Sequence, residues 1–483
     1  MSILQQLRQR LDNKVISASE LTQKYLNLIT KYNPILNTFT SINYQHAIKQ
    51  AQKADNIIAQ GKQNLLTGIP IAHKDNLCTN ILTTTCASKI LYNYHSPFNA
   101  TIVDKLEKSG MILLGKTNMD EFGMGSSNEN SYFGAAKNPY QLECVPGGSS
   151  GGSAASVAAM LTPFATGSDT GGSVRQPAGF CGITGMKPSY GTLSRFGLIA
   201  YGSSLDQVGI LTHFAKDCAY LLQTMAGQDD KDSTSILTSP DFFTQTIDQN
   251  IYNIRIGIDE AMLSMLSPQA QQLLQNCIND YKTLGAKIRS IKLPNLEHAV
   301  SSYYILAPAE AATNLARFDG VRYGYRSPQA HTLDELYINT RTEGFGQEVK
   351  RRIVIGNYVL AASQYDAYYH KAQQIRSQLK ANFDALYQQV DVILLPIAAT
   401  TAPKIGTQTD PVSTYLSDMY TLIANLTGAP AISFPIGKID NLPFGAQLMA
   451  NNFNDHLLLQ VVSTFQQVTN FHQPQPLLQG VCA

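Results

Sequence analysis

The sequence has almost no net charge and few charged residues. Its 36 Lys and Arg residues nearly balance its 35 Asp and Glu residues, which leaves a formal net charge of +1. A protein that holds nucleic acid by charge alone needs a strongly basic surface, because phosphate contacts supply most of the non-specific affinity. The composition therefore excludes a general basic surface, and any RNA would be held locally or by a partner.

The cysteines lack the spacing of a metal site or of a disulfide framework. There are seven, an odd number, and none forms a CxxC pair or has a histidine at metal-ligand spacing. We expect no metal site, and we expect the cysteines to be reduced thiols in the core of a cytosolic protein. They are Cys78, Cys86, Cys144, Cys181, Cys218, Cys277 and Cys482.

Long apolar runs are also missing. No run approaches the roughly 18 residues of a membrane-spanning helix, and the first residues, MSILQQLRQRLDNKVISASE, lack the apolar core of a signal peptide. We therefore expect a soluble cytoplasmic enzyme without membrane association. A chain of 483 residues is long enough to build a core that excludes water from a site.

What the sequence does contain is an alternation of helical segments and short apolar runs. Ser19 is placed to cap a first helix, LTQKYLNLITKY, and a second helix, YQHAIKQAQKADNIIAQ, ends at Gly61, a favourable residue just past a helix. From Gly68 onward the runs GIPIA, MILLGKT, DVILLP and AISFPIG are typical of buried strands, and ATIVDKLEKSG and SAASVAAML are typical of helices. This alternation predicts an α/β fold: one large domain with a central twisted, mixed and largely parallel sheet, covered by helices on both faces.

No long linker divides the chain, so we predict one domain over residues 1–483 with four parts. Residues 1–62 form an N-terminal helical layer, and residues 63–227 form the core that carries the glycine-rich loops. Residues 228–330 are more polar and more helical, which indicates a flank or insertion on the same sheet. Residues 331–483 are expected to supply the C-terminal part of the sheet.

The most informative stretch is CVPGGSSGGSAASVAAMLTPFATGSDTGGSVRQPAGFCGITGMKPSYG, residues 144–191. Its hexapeptide GGSSGG is, by itself, equally typical of a flexible linker. Here an alanine-rich helix, a buried strand and a second glycine loop follow within a few residues, and a flexible spacer has no reason to be embedded in a core. Glycines clustered beside a serine instead let backbone N–H groups converge on one point.

The second glycine loop, which follows Asp169, has the composition of an oxyanion hole beside a nucleophile. The amides of Thr170, Gly171, Gly172 and Ser173 are predicted to surround a developing oxyanion while Ser173 Oγ attacks the carbonyl carbon. Nucleophile and oxyanion hole would then come from the same turn.

A serine nucleophile needs a base, and none of the nine histidines lies in these loops. His73 is the nearest in character, but its neighbour Lys74 ends the apolar run GIPIA and is followed by Asp75 and Asn76. A lysine at the end of a buried strand loses solvation, which lowers its pKa toward the range where the free amine accepts a proton. Lys74 is therefore a candidate general base, with a solvated surface charge as the alternative.

These segments together resemble the amidase signature family. The resemblance rests on PGGSSGGSAASVAA, ATGSDTGGSVRQPAGFCGITGMKPSYG and the upstream IPIAHKDN, a motif long enough to be highly specific. It implies a Ser-cisSer-Lys triad, with Ser173 as the nucleophile, Ser149 as a bridging serine after a cis peptide bond, and Lys74 as the base. In that scheme Lys74 takes a proton from Ser149, which takes one from Ser173, and the reversed relay protonates the departing ammonia.

A competing motif is Gly110 to Thr117, GMILLGKT, which matches the phosphate-binding pattern G-x-x-x-x-G-K-[ST]. Its four intervening residues are apolar and are typical of a strand rather than of a loop whose amides wrap phosphates. It also follows a helical segment, whereas a phosphate-binding loop follows a strand and opens a helix. We therefore expect no nucleotide at Lys116.

Over nearly its whole length, the chain further resembles one branch of this family, the glutamine-hydrolysing subunits of tRNA-dependent amidotransferases. The segments that carry this resemblance include GKTNMDEFGMGSSNENSYFG, YGSSLDQVG, EGFGQEVKRRIVIGNY and YLSDMYTLIANLTGAPAISFPIG. The resemblance implies a heterotrimer with partner subunits B and C, to which this chain delivers ammonia from glutamine. It places ATP, Mg²⁺ and the misacylated tRNA, Glu-tRNA(Gln) or Asp-tRNA(Asn), mainly on the partner and leaves no cofactor in this chain.

A glutamine pocket needs a cation for the α-carboxylate and a carboxylate for the α-ammonium. Arg352 in KRRIVIG offers a bidentate fork, and Asp418 in YLSDMYT offers the carboxylate. Tyr304 is expected to line the pocket. Arg351 and Tyr303 are adjacent alternatives, and a surface ion pair or a helix charge is the alternative role for Arg352 and Asp418.

Asp120 and Glu121 in TNMDEF are candidates for an ammonia tunnel, because polar groups are needed to conduct ammonia; a charged pair at a helix start is the equal alternative. Two other functions also stay open at this point. A free-standing amidase acting on another small carboxamide would use the same three side chains. A non-enzymatic scaffold would require Ser173, Ser149 and Lys74 to lie apart.

Overall fold

One mixed sheet runs through the computed structural model, which describes residues 1–42, 44–239, 241–294, 296–407, 410, 415 and 418–475. Its strands are β1 (Phe39–Ile42), β2 (Pro70–Lys74), β3 (Ile112–Thr117), β4 (Ala165–Asp169), β5 (Thr184–Lys187), β6 (Gln207–Thr212), β7 (Arg255–Ile258), β8 (Lys287–Ser290), β9 (Val392–Pro396), β10 (Ala431–Ile439) and β11 (Leu442–Ala450). Across these described ranges the eleven strands lie in the order β1-β3-β2-β4-β6-β5-β10-β11-β9-β7-β8.

The helices flank this sheet. They are α1 (Ile3–Asp12), α2 (Ala18–Leu36), α3 (Tyr44–Ala59), α4 (Thr101–Lys108), α5 (Gly151–Ala158), α6 (Arg175–Phe180), α7 (Ala215–Met225), α8 (Glu260–Ser264), α9 (Pro268–Thr283), α10 (Glu297–Asn314), α11 (Leu333–Gly344), α12 (Gln347–Leu360), α13 (Lys371–Leu386), α14 (Leu422–Thr427) and α15 (Asp455–Val468). Short 3₁₀ turns at Lys89–Leu91, Glu121–Gly123, Leu315–Arg317 and Asp418–Tyr420 and a π turn at Asp366–His370 complete the helical structure of the described residues.

Both faces of the sheet are covered. Strands β2, β3, β4, β6 and β11 are buried at every residue. Because successive side chains of a strand point to opposite faces, neither face is open to solvent along these strands. The predicted α/β fold, a single large domain with helices around a mixed sheet, is confirmed, and the runs GIPIA, MILLGKT, DVILLP and AISFPIG all contribute strands.

The prediction that the sheet is largely parallel is wrong. Only β2 with β3 and β4, and β7 with β8 and β9, pair in parallel among the described strands, and the other neighbours are antiparallel. The hairpin of β10 and β11 turns through Asp440 and Asn441, whose φ angles are +51° and +67°. Two consecutive residues with positive φ angles form a tight turn whose twist matches that of antiparallel strands.

The N-terminal layer is mainly helical, with β1 added to the sheet. Helix α2 begins two residues earlier than predicted, because Ser17, and not Ser19, caps it and forms a capping box with Glu20. Ser19 Oγ instead donates to Asp55, at 2.6 Å. Gly61 follows the end of α3 with a φ of +65°, and its amide and the next one bond back to the last turn, which confirms it as the terminating residue.

The polar stretch 228–330 contributes strands to the same sheet. It supplies β7 and β8, which extend the sheet beyond β9, as well as α8, α9 and α10. Strand β8 lies at the edge and exposes three of its four residues, so it lacks the apolar run by which a strand is recognised in a sequence.

Candidate active site

Two neighbouring strands bring the predicted catalytic segments together. Strands β2 and β4 are parallel and pair at Ala72 and Ala165, so their carboxyl ends lie at the same edge of the sheet. Lys74 is the last residue of β2, and the loop to Ser173 begins where β4 ends at Asp169. The fold therefore places two segments about a hundred positions apart at the same edge of the sheet.

Lys74 is completely buried and contacts two serines. Its Nζ lies 2.7 Å from Ser149 Oγ, 2.9 Å from Ser168 Oγ and 3.3 Å from the Ser168 carbonyl oxygen. Burial lowers the pKa of Lys74 to about 7, although Asp120 and Asp169 oppose this shift. The predicted loss of solvation at the end of this strand is confirmed, and the surface position is excluded.

These contacts determine where the lone pair of an uncharged Lys74 points. A neutral amine has two N–H donors and one lone pair. The Ser168 side chain and carbonyl group accept the two hydrogens, so the lone pair is directed at Ser149, whose hydroxyl then donates to it. Asn76 Nδ2 in turn donates to Ser168 Oγ at 2.8 Å and holds that hydroxyl in place.

Ser149 follows a cis peptide bond, Gly148-Ser149, as the resemblance implied. Gly148 is packed so closely that a side chain does not fit: a Cβ there would overlap Asp120 Oδ2 and lie 2.7 Å from the Ser127 nitrogen. Asp120 accepts hydrogen bonds from the amides of Asn128 and Asn130, at 2.9 and 3.2 Å. The Asp120 amide donates to the Ser149 carbonyl oxygen at 3.2 Å, which joins the Ser149 loop to the residue that carries this buried carboxylate.

The Ser173 loop is fixed from both ends. The Ser150 amide donates to the Ser173 carbonyl oxygen at 3.0 Å, which joins it to the Ser149 loop. Asp169 accepts from the Val174 amide at 3.1 Å and forms a fully buried ion pair with Arg175 at 3.0 Å. Burial opposes ionisation of Asp169, but Arg175, Lys187 and the Val174 amide together outweigh burial and lower the pKa of that carboxyl to about 2.

The predicted oxyanion hole needs one correction. The Gly172 amide donates to Asp169 Oδ1 at 2.8 Å, so Asp169 has taken this donor out of the set. For the amides of Thr170, Gly171 and Ser173 no hydrogen-bond partner is found among the described residues. These three N–H groups are the donors that remain for an oxyanion.

Ser173 lines a cavity that also contains the predicted substrate-binding side chains. Lys74 is completely buried, and neither it nor Ser149 lines this cavity. No hydrogen bond between the Ser149 and Ser173 hydroxyls is found among the described residues. The lining residues are Gly123, Gly125, Ser126, Gly148, Gly171, Gly172, Ser173, Gln176, Tyr303, Tyr304, Arg352, Asp418 and Thr421.

Arg352, not Arg351, faces the cavity. Arg352 is buried on α12, where its Nε donates to Glu348 at 2.8 Å and its Nη1 donates to the Tyr201 hydroxyl at 2.5 Å. Arg351 lies on the exposed side of the same helix and pairs with Glu348 from there. The ambiguity left by the sequence is therefore resolved in favour of Arg352 as the cation of the cavity.

Asp418 supplies the opposite charge. Its Oδ2 accepts from the Tyr304 hydroxyl at 2.8 Å and from Ser126 Oγ at 2.9 Å, and no partner for Oδ1 is found in the described part of the chain. Burial raises the pKa of Asp418 to about 6, and these two hydrogen bonds limit the shift. Both Tyr303 and Tyr304 line the cavity, but it is Tyr304 that contacts Asp418.

The two candidates for a tunnel occupy different surroundings. Asp120 is fully buried beside Gly148, and burial raises its pKa to about 6. Glu121 accepts from Ser88 Oγ and from the Gly346 amide, and it lines a separate cavity. Both carboxylates hold loops together, and their role in conducting ammonia stays a prediction.

Sequence reasoning missed the residues that orient the base and the loops. Ser168 and Asn76 hold Lys74, and Gln176 joins the Ser149 loop to the cavity wall by accepting from the Gly148 amide at 3.0 Å and donating to the Ser126 carbonyl oxygen. Ser168 carried a usable signal, because it lies next to Asp169 at the end of the strand parallel to that of Lys74.

The two alternative motif residues have structural roles. Lys116 is a buried residue of β3 and forms an ion pair with Asp75 at 3.2 Å, which agrees with the prediction that GMILLGKT is a strand. His73 Nδ1 forms a hydrogen bond with the Thr166 hydroxyl at 3.1 Å. Burial and the nearby Lys116 lower the pKa of His73 to about 3.

The remaining predictions concern metals, thiols and membranes. In the ranges that the structure describes, no group of three or more His, Cys, Asp or Glu side chains is arranged to hold a metal ion. The cysteines described there are buried and free, whereas Cys482 lies outside the described residues. No described helix combines the length and apolar character that crossing a bilayer requires.

The chain is similar to known proteins over nearly its full length. The model of the amidase family matches residues 20–459. The A-subunit of glutamyl-tRNA(Gln) amidotransferase from Francisella tularensis subsp. novicida (strain U112) is 54% identical over 467 residues, which are 97% of each chain.

Two solved structures share the fold. The crystal structure of the A-subunit of glutamyl-tRNA(Gln) amidotransferase from Thermotoga maritima has a TM-score of 0.78 at 38% identity and covers 94% of this chain and 92% of its own. The peptide amidase from Stenotrophomonas maltophilia has a TM-score of 0.83 at 27% identity, with 97% of both chains covered.

Proposed function

Because the chain belongs to the amidase family, we propose that Ser173, Ser149 and Lys74 hydrolyse the side-chain amide of glutamine, and that the chain is the glutaminase subunit of a tRNA-dependent amidotransferase. The ammonia released is passed to a partner subunit that amidates Glu-tRNA(Gln), Asp-tRNA(Asn) or both.

The contact of Lys74 with Ser149 supports the following acylation step. The uncharged amine accepts the Ser149 hydroxyl proton, Ser149 Oγ accepts the proton of Ser173, and Ser173 Oγ attacks the amide carbon. The free amides of Thr170, Gly171 and Ser173 donate to the oxyanion that forms. A preorganised donor of this kind contributes about 2.7–4 kcal/mol to transition-state stabilisation.

Collapse of this intermediate reverses the relay. The lysine ammonium returns a proton through Ser149 to the nitrogen of the leaving group, the carbon–nitrogen bond breaks, and ammonia departs from a glutamyl ester on Ser173. Water then attacks the ester with the same residues as the base. Glutamate leaves, and the hydroxyl of Ser173 and the free amine of Lys74 are restored.

The observation that supports glutamine as the substrate is the pair of opposite charges in the cavity of Ser173. Arg352 is suited to an α-carboxylate, since guanidinium and carboxylate pair through two parallel hydrogen bonds. Asp418 Oδ1, for which the described residues supply no partner, is suited to an α-ammonium. A simple aliphatic amide would leave both buried charges without a ligand.

The partners follow from the relatives, which are named as subunits of an amidotransferase. We assign to the partners, subunits B and C, the activation of the tRNA-bound carboxylate with ATP and Mg²⁺ and most contacts with the tRNA. The balance of 36 basic and 35 acidic residues supports this division, because the chain has no excess of positive charge for RNA. The reaction then takes place in the cytoplasm, where tRNA is charged.

Glutamate release from L-glutamine by the full chain, alone and with subunits B and C and Glu-tRNA(Gln), tests this function. We expect weak hydrolysis by the chain alone and a rise when the partners and tRNA are added. Full activity without partners, or turnover of unrelated small amides with none of glutamine, would identify a free-standing amidase instead.

A further inference from the structure

Glu348 connects the cation of the cavity to the rest of α12. It lies in the first turn of this helix, and its side chain is 11% exposed. Its Oε1 accepts from Arg352 Nε at 2.8 Å and from the Tyr415 hydroxyl at 3.1 Å, while its Oε2 pairs with Arg351. One carboxylate thus contacts an arginine that faces the cavity and another that faces solvent.

The contact with Nε decides which edge of Arg352 is available to a ligand. A guanidinium group has five N–H donors in a fixed plane, and one of its edges is Nε together with one terminal nitrogen. Glu348 accepts from Nε and the Tyr201 hydroxyl accepts from Nη1, whereas no acceptor for Nη2 is found among the described residues. The donors left over are those that a carboxylate in the cavity can use.

We propose that Glu348 is a positioning residue that orients Arg352 for the α-carboxylate of the substrate and so makes the enzyme selective for amides that carry one. This inference rests on the proposed glutaminase function. Glu348 does not line the Ser173 cavity and acts only through Arg352.

A purely structural role is the competing explanation, because an acidic residue in the first turn of a helix is stabilising in its own right. The two explanations differ in what they predict for substrates. Loss of a helix-stabilising charge lowers the folded fraction and affects every substrate equally. Loss of the orientation of Arg352 affects only substrates whose carboxylate binds there.

The test uses two substrates that differ in one group: L-glutamine and 4-aminobutanamide, which is glutamine without its α-carboxylate. In the full chain assembled with its partners, we expect Glu348→Ala to raise the KM for glutamine about 10- to 100-fold. We expect kcat for glutamine and kcat/KM for 4-aminobutanamide to change by less than about threefold. Glu348→Gln, which keeps an oxygen that accepts from Nε, should recover most of the loss.

Arg351→Ala is the matched control, since Arg351 is the other partner of Glu348 and lies outside the cavity. It should leave the KM for glutamine within about threefold of the wild type. Equal losses on both substrates in Glu348→Ala, an unchanged KM for glutamine, or the same effect from Arg351→Ala would each overturn the inference.

The wild-type enzyme separates this failure from that of the proposed function. If wild type does not prefer glutamine over 4-aminobutanamide, recognition of the α-carboxylate and with it the glutaminase function is wrong. If the preference exists but survives in Glu348→Ala, only the role of Glu348 is wrong.

Discussion

Lys74 Nζ lies 2.7 Å from Ser149 Oγ, and neither residue is more than 1% exposed to solvent. Because water does not compete there, the protonation state of Lys74 determines which of the two groups donates. An ammonium donates to Ser149 and blocks the relay, whereas a free amine accepts and permits it. The relay that we propose therefore depends on this contact and on the groups that hold it.

The first prediction concerns pH. The pKa of Lys74 is lowered to about 7, so the amine is protonated below this pH and free above it. We therefore expect kcat/KM for glutamine, which reports on the free enzyme, to fall as the pH decreases through about 7. A pH–rate profile measured between pH 5 and 9 checks this, and a flat profile across pH 7 would contradict the assignment of Lys74 as the base.

The second prediction concerns Ser168, which accepts the two hydrogens of the neutral amine. Ser168→Ala removes one acceptor, so we expect kcat to fall about tenfold while KM is retained. The acceptor also favours the charged amine, so its loss should move the acidic limb of the profile to lower pH. Ser168→Thr retains the hydroxyl and serves as the control. If Ser168→Thr is as impaired as Ser168→Ala, altered packing and not the missing acceptor causes the loss of activity.

The third prediction concerns Asp418, whose pKa is raised to about 6. Its carboxylate must be ionised to hold an α-ammonium, so glutamine binding should weaken as the pH falls through about 6, in addition to the effect of Lys74. Asp418→Asn should raise the KM for glutamine about 10- to 100-fold. The same variant should remove the extra slope below pH 6, and a profile that keeps this slope would assign the ionisation to another group.

The fourth prediction concerns Gly148. Gly148→Ala places a Cβ against Asp120 and 2.7 Å from the Ser127 nitrogen, in a loop that hydrogen bonds to Asp120 hold in place. We expect the free energy of unfolding to decrease by about 1–3 kcal/mol and the activity to be lost. Gly202→Ala is the control, since the nearest atom to its Cβ is 3.4 Å away. Chemical denaturation compares the two, and equal stability would contradict the packing described around Gly148.

The parts of the site that depend on local sequence were predictable. Lys74 ends one apolar run, and Ser173 lies in a glycine loop directly after a second apolar run. Both residues could therefore be placed at the carboxyl ends of buried strands. The contact of Lys74 with Ser149 required the resemblance, because no local pattern places residue 149 near the end of β2. The sequence favoured Arg352 and left Arg351 as the alternative, and the burial of Arg352 and the exposure of Arg351 on α12 separate them.

The errors have physical causes as well. The Gly172 amide was assigned to the oxyanion hole because its neighbours are glycines, but Asp169 lies three residues earlier and takes this donor. The sheet was expected to be largely parallel because helices alternate with strands. The hairpin through Asp440 and Asn441 instead reverses the chain, so that β10 and β11 are antiparallel. The exposed edge strand β8 has no apolar pattern from which to predict it.

The most direct test of the relay is to trap the acyl-enzyme with a glutamine-analogue electrophile and to map the modified residue by mass spectrometry. The account predicts a single adduct on Ser173, absent in Ser173→Ala, and formed at least about a hundredfold more slowly in Lys74→Met, since the nucleophile then lacks its base. An adduct on another residue, or labelling of Ser173 at the wild-type rate in Lys74→Met, would contradict it.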